Sequence, residues 1–138
     1  MSMFRTYVPA AALAATLIAA PAFADTPMIE AMDQSVANGV VSAAMVSAPE
    51  NGWLVVHRTD ADMKPGPVVA HAPLRAGETA DVAALLTEPV APGEMLMLMV
   101  HSEAGGMTTG QFEYTLGAAE DGPIKPDGKL VMTVITAQ

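Results

Sequence analysis

The feature that most narrows the fold is the length of the apolar runs. After residue 24 they span 4–8 residues and alternate with Gly, Pro and Asp punctuation. A helix that buries one face needs a period of about 3.6 residues sustained over several turns. No segment of this chain shows one. Short β-rich runs between regular turns instead predict an antiparallel β-sandwich.

The runs follow one another closely. Val40 to Val46 ends at Pro49-Glu50-Asn51-Gly52, a strong turn signal. Trp53 to His57 is followed by a polar loop, Arg58 to Gly66. Val68 to His71 comes next, then a turn at Ala76-Gly77-Glu78 and a run from Asp81 to Leu86. Pro92-Gly93 leads into Glu94 to His101, and Gly105-Gly106 separates that from Gly110 to Leu116. Asp127-Gly128 introduces Lys129 to Thr136, where apolar residues on both faces predict a central strand or one covered on both sides. Asp25 to Asp33 reads as a lead-in with one helical turn after Pro27, and Trp53 as a core or inter-sheet anchor. The expectation is an all-β, Ig-like sandwich of about seven strands in a single domain, residues 25–138.

Residues 1–24 read as something other than fold. Arg5 supplies a positive start, Val8 to Ala20 an apolar stretch, and Ala22-Phe23-Ala24 a cleavage site. This is the pattern of a secretory signal peptide, and it predicts a periplasmic or secreted protein. The stretch is short of the roughly 20 apolar residues of a membrane span. No second such run follows, so no membrane anchor is expected after cleavage.

With Arg5 removed, five basic residues face fifteen acidic ones. That balance argues against nucleic acid, whose phosphates need a basic face. The absence of Cys excludes a disulfide scaffold, a thiol nucleophile and a zinc–thiolate or blue-copper site.

Several strings recur in a known order. They are Gly52-Trp53-Leu54-Val55-Val56-His57, Gly66-Pro67-Val68-Val69-Ala70-His71-Ala72-Pro73, Leu98-Met99-Val100-His101, Gly110-Gln111-Phe112-Glu113-Tyr114 and Asp121-Gly122-Pro123-Ile124. Together they resemble an uncharacterised family of exported β-sandwich domains in archaea and bacteria, with GWVVIH, GPVIGxAPV and LxAMLHxD…GxYEF blocks. The resemblance spans nearly all of residues 33–136 and implies an Ig-like fold and export, with no activity. Two departures stand out: Ser102-Glu103 where an Asp usually follows the second His, and Thr115 where a Pro usually follows the YEF block.

Methionine is the unusual residue: eleven in all, nine once Met1 and Met3 leave. Met95, Met97, Met99 and His101 alternate, so on a strand they share one face. Thioether and imidazole are ligands that Cu(I) accepts. His57 and Met63 repeat the spacing of His101 and Met107. Were both His residues to leave their strands at one end, a rim would gather His57, His101, Met63 and Met107, with His71 beside them. The candidate metal ligands are therefore His57, His101, Met99, Met97, Met107 and Met63. Packing competes with this reading, because Met also fills irregular cores.

No nucleophile elbow, H-E-x-x-H pair or phosphate loop occurs, which points away from an enzyme. The Asp60-x-Asp62 pair reads as a solvated loop, and Glu113 and Tyr114 as strand residues. Two functions stay open. One is an exported, non-enzymatic binding or structural module that meets an unknown protein or small ligand through the 58–66 and 102–110 loops, with no cofactor. The other is a periplasmic Cu(I)-binding protein.

Overall fold

The computed structural model describes residues 26–138, and the expected signal peptide, residues 1–24, lies outside the described residues. Seven strands form: β1 (Met28–Glu30), β2 (Val40–Ala48), β3 (Gly52–Thr59), β4 (Val68–Leu74), β5 (Gly77–Leu85), β6 (Met95–Ser102) and β7 (Met132–Thr136). They make a three-stranded sheet, β1-β2-β5, packed on a four-stranded sheet, β4-β3-β6-β7. Every named pair of strands is antiparallel. Among the described residues there is no α-helix, only a 3-10 turn at Pro126–Gly128. The order is that of an Ig-like sandwich whose fourth strand lies beside the third.

The core between the sheets is apolar. Leu54 and Val56 of β3 meet Leu96, Leu98 and Val100 of β6, with Val41, Ala43, Val82 and Ile135 closing from around them. Burying a side chain of this size contributes about 1.5–3 kcal/mol. Strand alternation then sends Trp53, Val55 and His57 of β3, and Met97, Met99 and His101 of β6, to the opposite face of the four-stranded sheet. Gly52 lets the two strands close up at that end. A Cβ there would lie 2.1 Å from the His101 carbonyl oxygen.

The count of seven strands is as expected, but the membership differs. The lead-in holds β1 rather than a helical turn, because Met28, Ile29 and Glu30 pair with Ser47, Val46 and Met45 of β2. Gly110 to Leu116 is not a strand. β6 already has β3 on one side and β7 on the other, so the segment has no edge of β6 to join. It crosses over the face of the sheet and buries Tyr114 there. The last strand is an edge strand, not a central one. Trp53 is buried as expected, but on the outer face of the four-stranded sheet rather than between the sheets.

Candidate functional site

The site grows from the register of β3 on β6. His57 lies opposite Met97, Val55 opposite Met99, and Trp53 opposite His101. The two histidines therefore stand at opposite ends of one patch, with the Val55–Met99 pair between them. Their side chains lean toward each other over that pair. The Nε2 atoms are 3.3 Å apart, while the ring centroids are 5.4 Å apart, so both nitrogens lie on the facing edges of the rings.

Each ring is held from behind. Nδ1 of His57 lies 2.8 Å from the Gly66 carbonyl oxygen, and Nδ1 of His101 lies 2.6 Å from the Asp121 carbonyl oxygen. A carbonyl only accepts, so each Nδ1 must carry the hydrogen and donate it. In a neutral imidazole this leaves a lone pair on Nε2. Two lone pairs then face each other across the gap. Two Nδ1–H donations and one Nε2-to-Nε2 contact need three protons, and two neutral rings carry two.

A third proton is disfavoured. Both histidines are buried, at 0% and 1% exposure. Burial lowers the pKa of His57 against the opposing effect of the Gly66 carbonyl. Burial also takes His101 down to about 4, helped by the nearby His57 and opposed by the Asp121 carbonyl and carboxylate. Both shifts favour neutral rings at neutral pH, so the Nε2 lone pairs face each other across the gap.

The segment between β6 and β7 roofs the patch. The Tyr114 ring stands edge-on to both imidazoles, with centroids 4.6 Å from His101 and 5.9 Å from His57. Phe112 stacks on His71 at 4.3 Å and meets Trp53 at 5.4 Å. The fully buried Asp121 ties the roof down. Its Oδ1 accepts from the Ala104 N–H at 3.2 Å, and its Oδ2 from the Glu113 N–H at 2.8 Å. Its own N–H donates to the Ala104 carbonyl at 2.9 Å. A backbone φ of 45° lets one residue present its carbonyl to His101 and its carboxylate to the roof. Glu103 adds a second tie, accepting from Trp53 Nε1–H at 2.8 Å and from the Gly110 N–H at 3.1 Å. Both ion pairs among the described residues belong to Arg58, so Asp121 has no basic side chain as countercharge.

The structure brings His57, His101, Met97 and Met99 together on this face, all buried. Met63 and Met107 lie on outer loops, 50% and 96% exposed. The expected single rim does not form, because antiparallel strands leave the sheet at opposite ends. The histidines meet over the middle of the face instead. His71 is on the outer face of β4, beside Val55, and stays exposed. Asp60 and Asp62 form a local turn, in which Asp60 Oδ1 accepts from the Asp62 N–H at 2.9 Å. Among the described residues no three His, Cys, Asp or Glu side chains gather around a common point. Sequence reasoning missed Asp121 and the roles of Phe112 and Tyr114. Their signal was present as the blocks Gln111-Phe112-Glu113-Tyr114 and Asp121-Gly122, which lie outside any regular strand.

A family model described as Domain of unknown function (DUF7282) matches residues 27–138. No curated protein and no solved structure matches the chain.

Proposed function

We propose, for this chain, which belongs to the DUF7282 family, an exported, non-enzymatic binding function in which one Cu(I) ion sits between His57 and His101. The observation that carries the reading is the facing pair of Nε2 atoms, 3.3 Å apart, each ring with its Nδ1–H committed to a backbone carbonyl. A hydrogen bond from the far ring nitrogen to a carbonyl is what fixes the tautomer and aim of a metal-binding imidazole. Imidazole-to-metal bonds of about 2.0 Å put two nitrogens on one ion about 4 Å apart when linear, and closer when bent. The observed gap falls in the bent range.

The surroundings select among ions. Zinc asks for four ligands and calcium for six or more oxygens. This patch offers two imidazoles, with the Met97 and Met99 thioethers on the same face. Soft, few-ligand donation of that kind suits Cu(I). Register sets Met99 midway between the histidines, which supports it as the third ligand. A single positive charge there would also offset the buried Asp121 carboxylate, which otherwise lacks a counterion.

An anaerobic Cu(I) titration against a chromophoric chelator tests this, using the chain purified from the periplasm of an expressing bacterium. The expected result is one equivalent taken up by the wild type. His57→Asn and His101→Asn keep a donor for the carbonyl but delete Nε2, and uptake should be lost in each. His71→Ala should retain it. Uptake that survives both Asn substitutions contradicts the reading. Intact mass of the same preparation tests export, the expected first residue being Asp25; a chain still beginning at Met1 contradicts it.

A second reading has its own support. The loop that displays Met107 is held at its neck by Glu103 on Gly110 and by Glu113 on Thr108, the latter at 3.1 Å. Ordered, exposed loops at the end of a sandwich suit protein contact. Retention of a partner by the wild type but not by Met107→Asp would favour it.

A further inference from the structure

The middle of the roof is attached differently from its ends. Residues 105–120 leave and return at one neck. There the Asp121 N–H donates to the Ala104 carbonyl at 2.9 Å, and the Ala104 N–H to Asp121 Oδ1 at 3.2 Å. Below the neck the chain is pinned to β6: the Ser102 N–H donates to the Gly122 carbonyl at 2.9 Å and the Ile124 N–H to the Val100 carbonyl at 3.1 Å. Above it the segment is a surface loop whose ends meet, an Ω-loop in form. Its backbone-to-backbone bonds, Gln111 N–H to the Thr108 carbonyl at 3.3 Å and Ala118 N–H to the Thr115 carbonyl at 2.8 Å, stay inside it. The hydrogen bonds that tie it to its surroundings both end on carboxylates, Gly110 N–H on Glu103 and Glu113 N–H on Asp121. Tyr114 is its only buried residue.

A segment with few buried side chains and few bonds to the body opens at a fraction of the cost of global unfolding. Residues 105–120 meet that description, and the site beneath them does not. Both Nδ1 acceptors lie outside the segment. The Asp121 carbonyl is at the neck. The Gly66 carbonyl is in the β3–β4 hairpin, where the Gly66 N–H donates to the Arg58 carbonyl at 2.8 Å and the Arg58 N–H to the Pro67 carbonyl at 2.9 Å. The segment can therefore lift while both imidazoles stay aimed. Its one buried ring, Tyr114, is also the ring that stands against both histidines. Phe112 closes the side toward His71, 4.3 Å from that ring and 6.5 Å from His101.

Resting on the Cu(I) reading above, we propose that residues 105–120 are a lid with Tyr114 as its plug, and that Cu(I) enters and leaves the histidine pair only when the lid lifts on the Ala104–Asp121 neck. Glu103 and Asp121 are the latches, each holding one backbone N–H of the lid. Lifting uncovers both Nε2 atoms and leaves the bonds behind the rings in place. The lid sets how fast the ion is exchanged, and the histidines set how tightly it is held. Entry and exit pass through one opening, so a looser lid quickens both and leaves their ratio, the affinity, as it was.

The test separates rate from affinity. The mature chain, loaded with one equivalent of Cu(I), is mixed with rising excesses of a chromophoric chelator under anaerobic stopped flow, and equilibrium affinity is measured on the same samples. Release from the wild type should level off at a ceiling independent of chelator concentration, which is the rate of lid opening. Glu103→Ala removes a latch and Tyr114→Ala the plug. Each should raise the ceiling several-fold with affinity unchanged. Leu98→Ala loosens the inner core instead and should leave the ceiling where it is. Release that climbs in proportion to chelator without a ceiling overturns the lid and leaves the histidine site standing. A wild-type ceiling in both lid variants does the same, as does a ceiling raised equally by Leu98→Ala. Loss of affinity that matches the faster release in both lid variants also overturns it, since the lid would then be part of the site. A wild type that takes up no Cu(I) overturns the histidine site and the lid's role together.

Discussion

β6 is buried on both faces, and the two faces are buried in different ways. Its even-numbered residues, Leu96, Leu98 and Val100, enter a wholly apolar core between the sheets. Its odd-numbered residues, Met97, Met99 and His101, lie under an irregular roof made by the segment that follows the strand. The inner face is covered by a sheet whose strands pair their backbones with one another. The outer face is covered by a loop whose backbone needs outside partners, and Asp121, Glu103 and Glu113 supply them. A sandwich needs the first kind of burial to fold. The second kind leaves polar groups inside, at defined distances from one another, and is where a binding site can be built.

Six substitutions and a pH titration tell the two faces apart. Leu98→Ala should cost about 2–5 kcal/mol of stability by leaving a cavity in the inner face, measured by urea unfolding. Cu(I) uptake per folded molecule should not change. Asp121→Asn sets an amide N–H against one of the roof's backbone N–H groups, and should cost about 1–3 kcal/mol. Hydrogen exchange should quicken at the Ala104 and Glu113 amides while the amides of β3 stay protected. Equal quickening in both regions would mean that the two faces are one cooperative unit.

The outer face should also respond to pH where the inner face cannot. His101 titrates at about 4 in the folded chain and near 6.5 when unfolded. The unfolded state therefore binds the proton first as pH falls. Stability of the metal-free protein should be full above about pH 6.5 and fall steadily toward pH 4. His101→Asn should flatten that slope; an unchanged slope would assign it to other groups. Met99→Leu conserves volume and should cost less than about 1.5 kcal/mol, yet weaken Cu(I) binding, which separates ligand from filler. The smallest effect is expected on the loops. Met63→Leu and Met107→Leu should change stability by no more than about 0.5 kcal/mol and leave affinity as it was.

The inner face was legible in the sequence because its code is local. Alternation and turn residues predict the strands from β2 to β7 and the sharing of one face by Met97, Met99 and His101. β1 escaped because a three-residue edge strand carries no periodic signal and exists only through its pairing with Met45, Val46 and Ser47. Gly110 to Leu116 looked like a strand because Phe112 and Tyr114 alternate. That alternation serves a loop lying flat on a sheet, a long-range circumstance that no local pattern encodes. The histidine pair was half legible. His57 and His101 stand out by type, but their meeting depends on the register of β3 on β6, and their tautomers on the carbonyls of Gly66 and Asp121.

In the proposed site two Nε2 lone pairs face each other and share one cation. Long-range nitrogen NMR of the imidazoles, at neutral pH and before and after one equivalent of Cu(I), reads those atoms directly. His57 and His101 should both be neutral, with the hydrogen on Nδ1, in the metal-free chain. Both Nε2 signals should then shift together on metal addition, with His71 unaffected. A hydrogen found on the Nε2 of either buried ring, with no response to Cu(I), would contradict it and leave the pair as a hydrogen bond that fastens the roof.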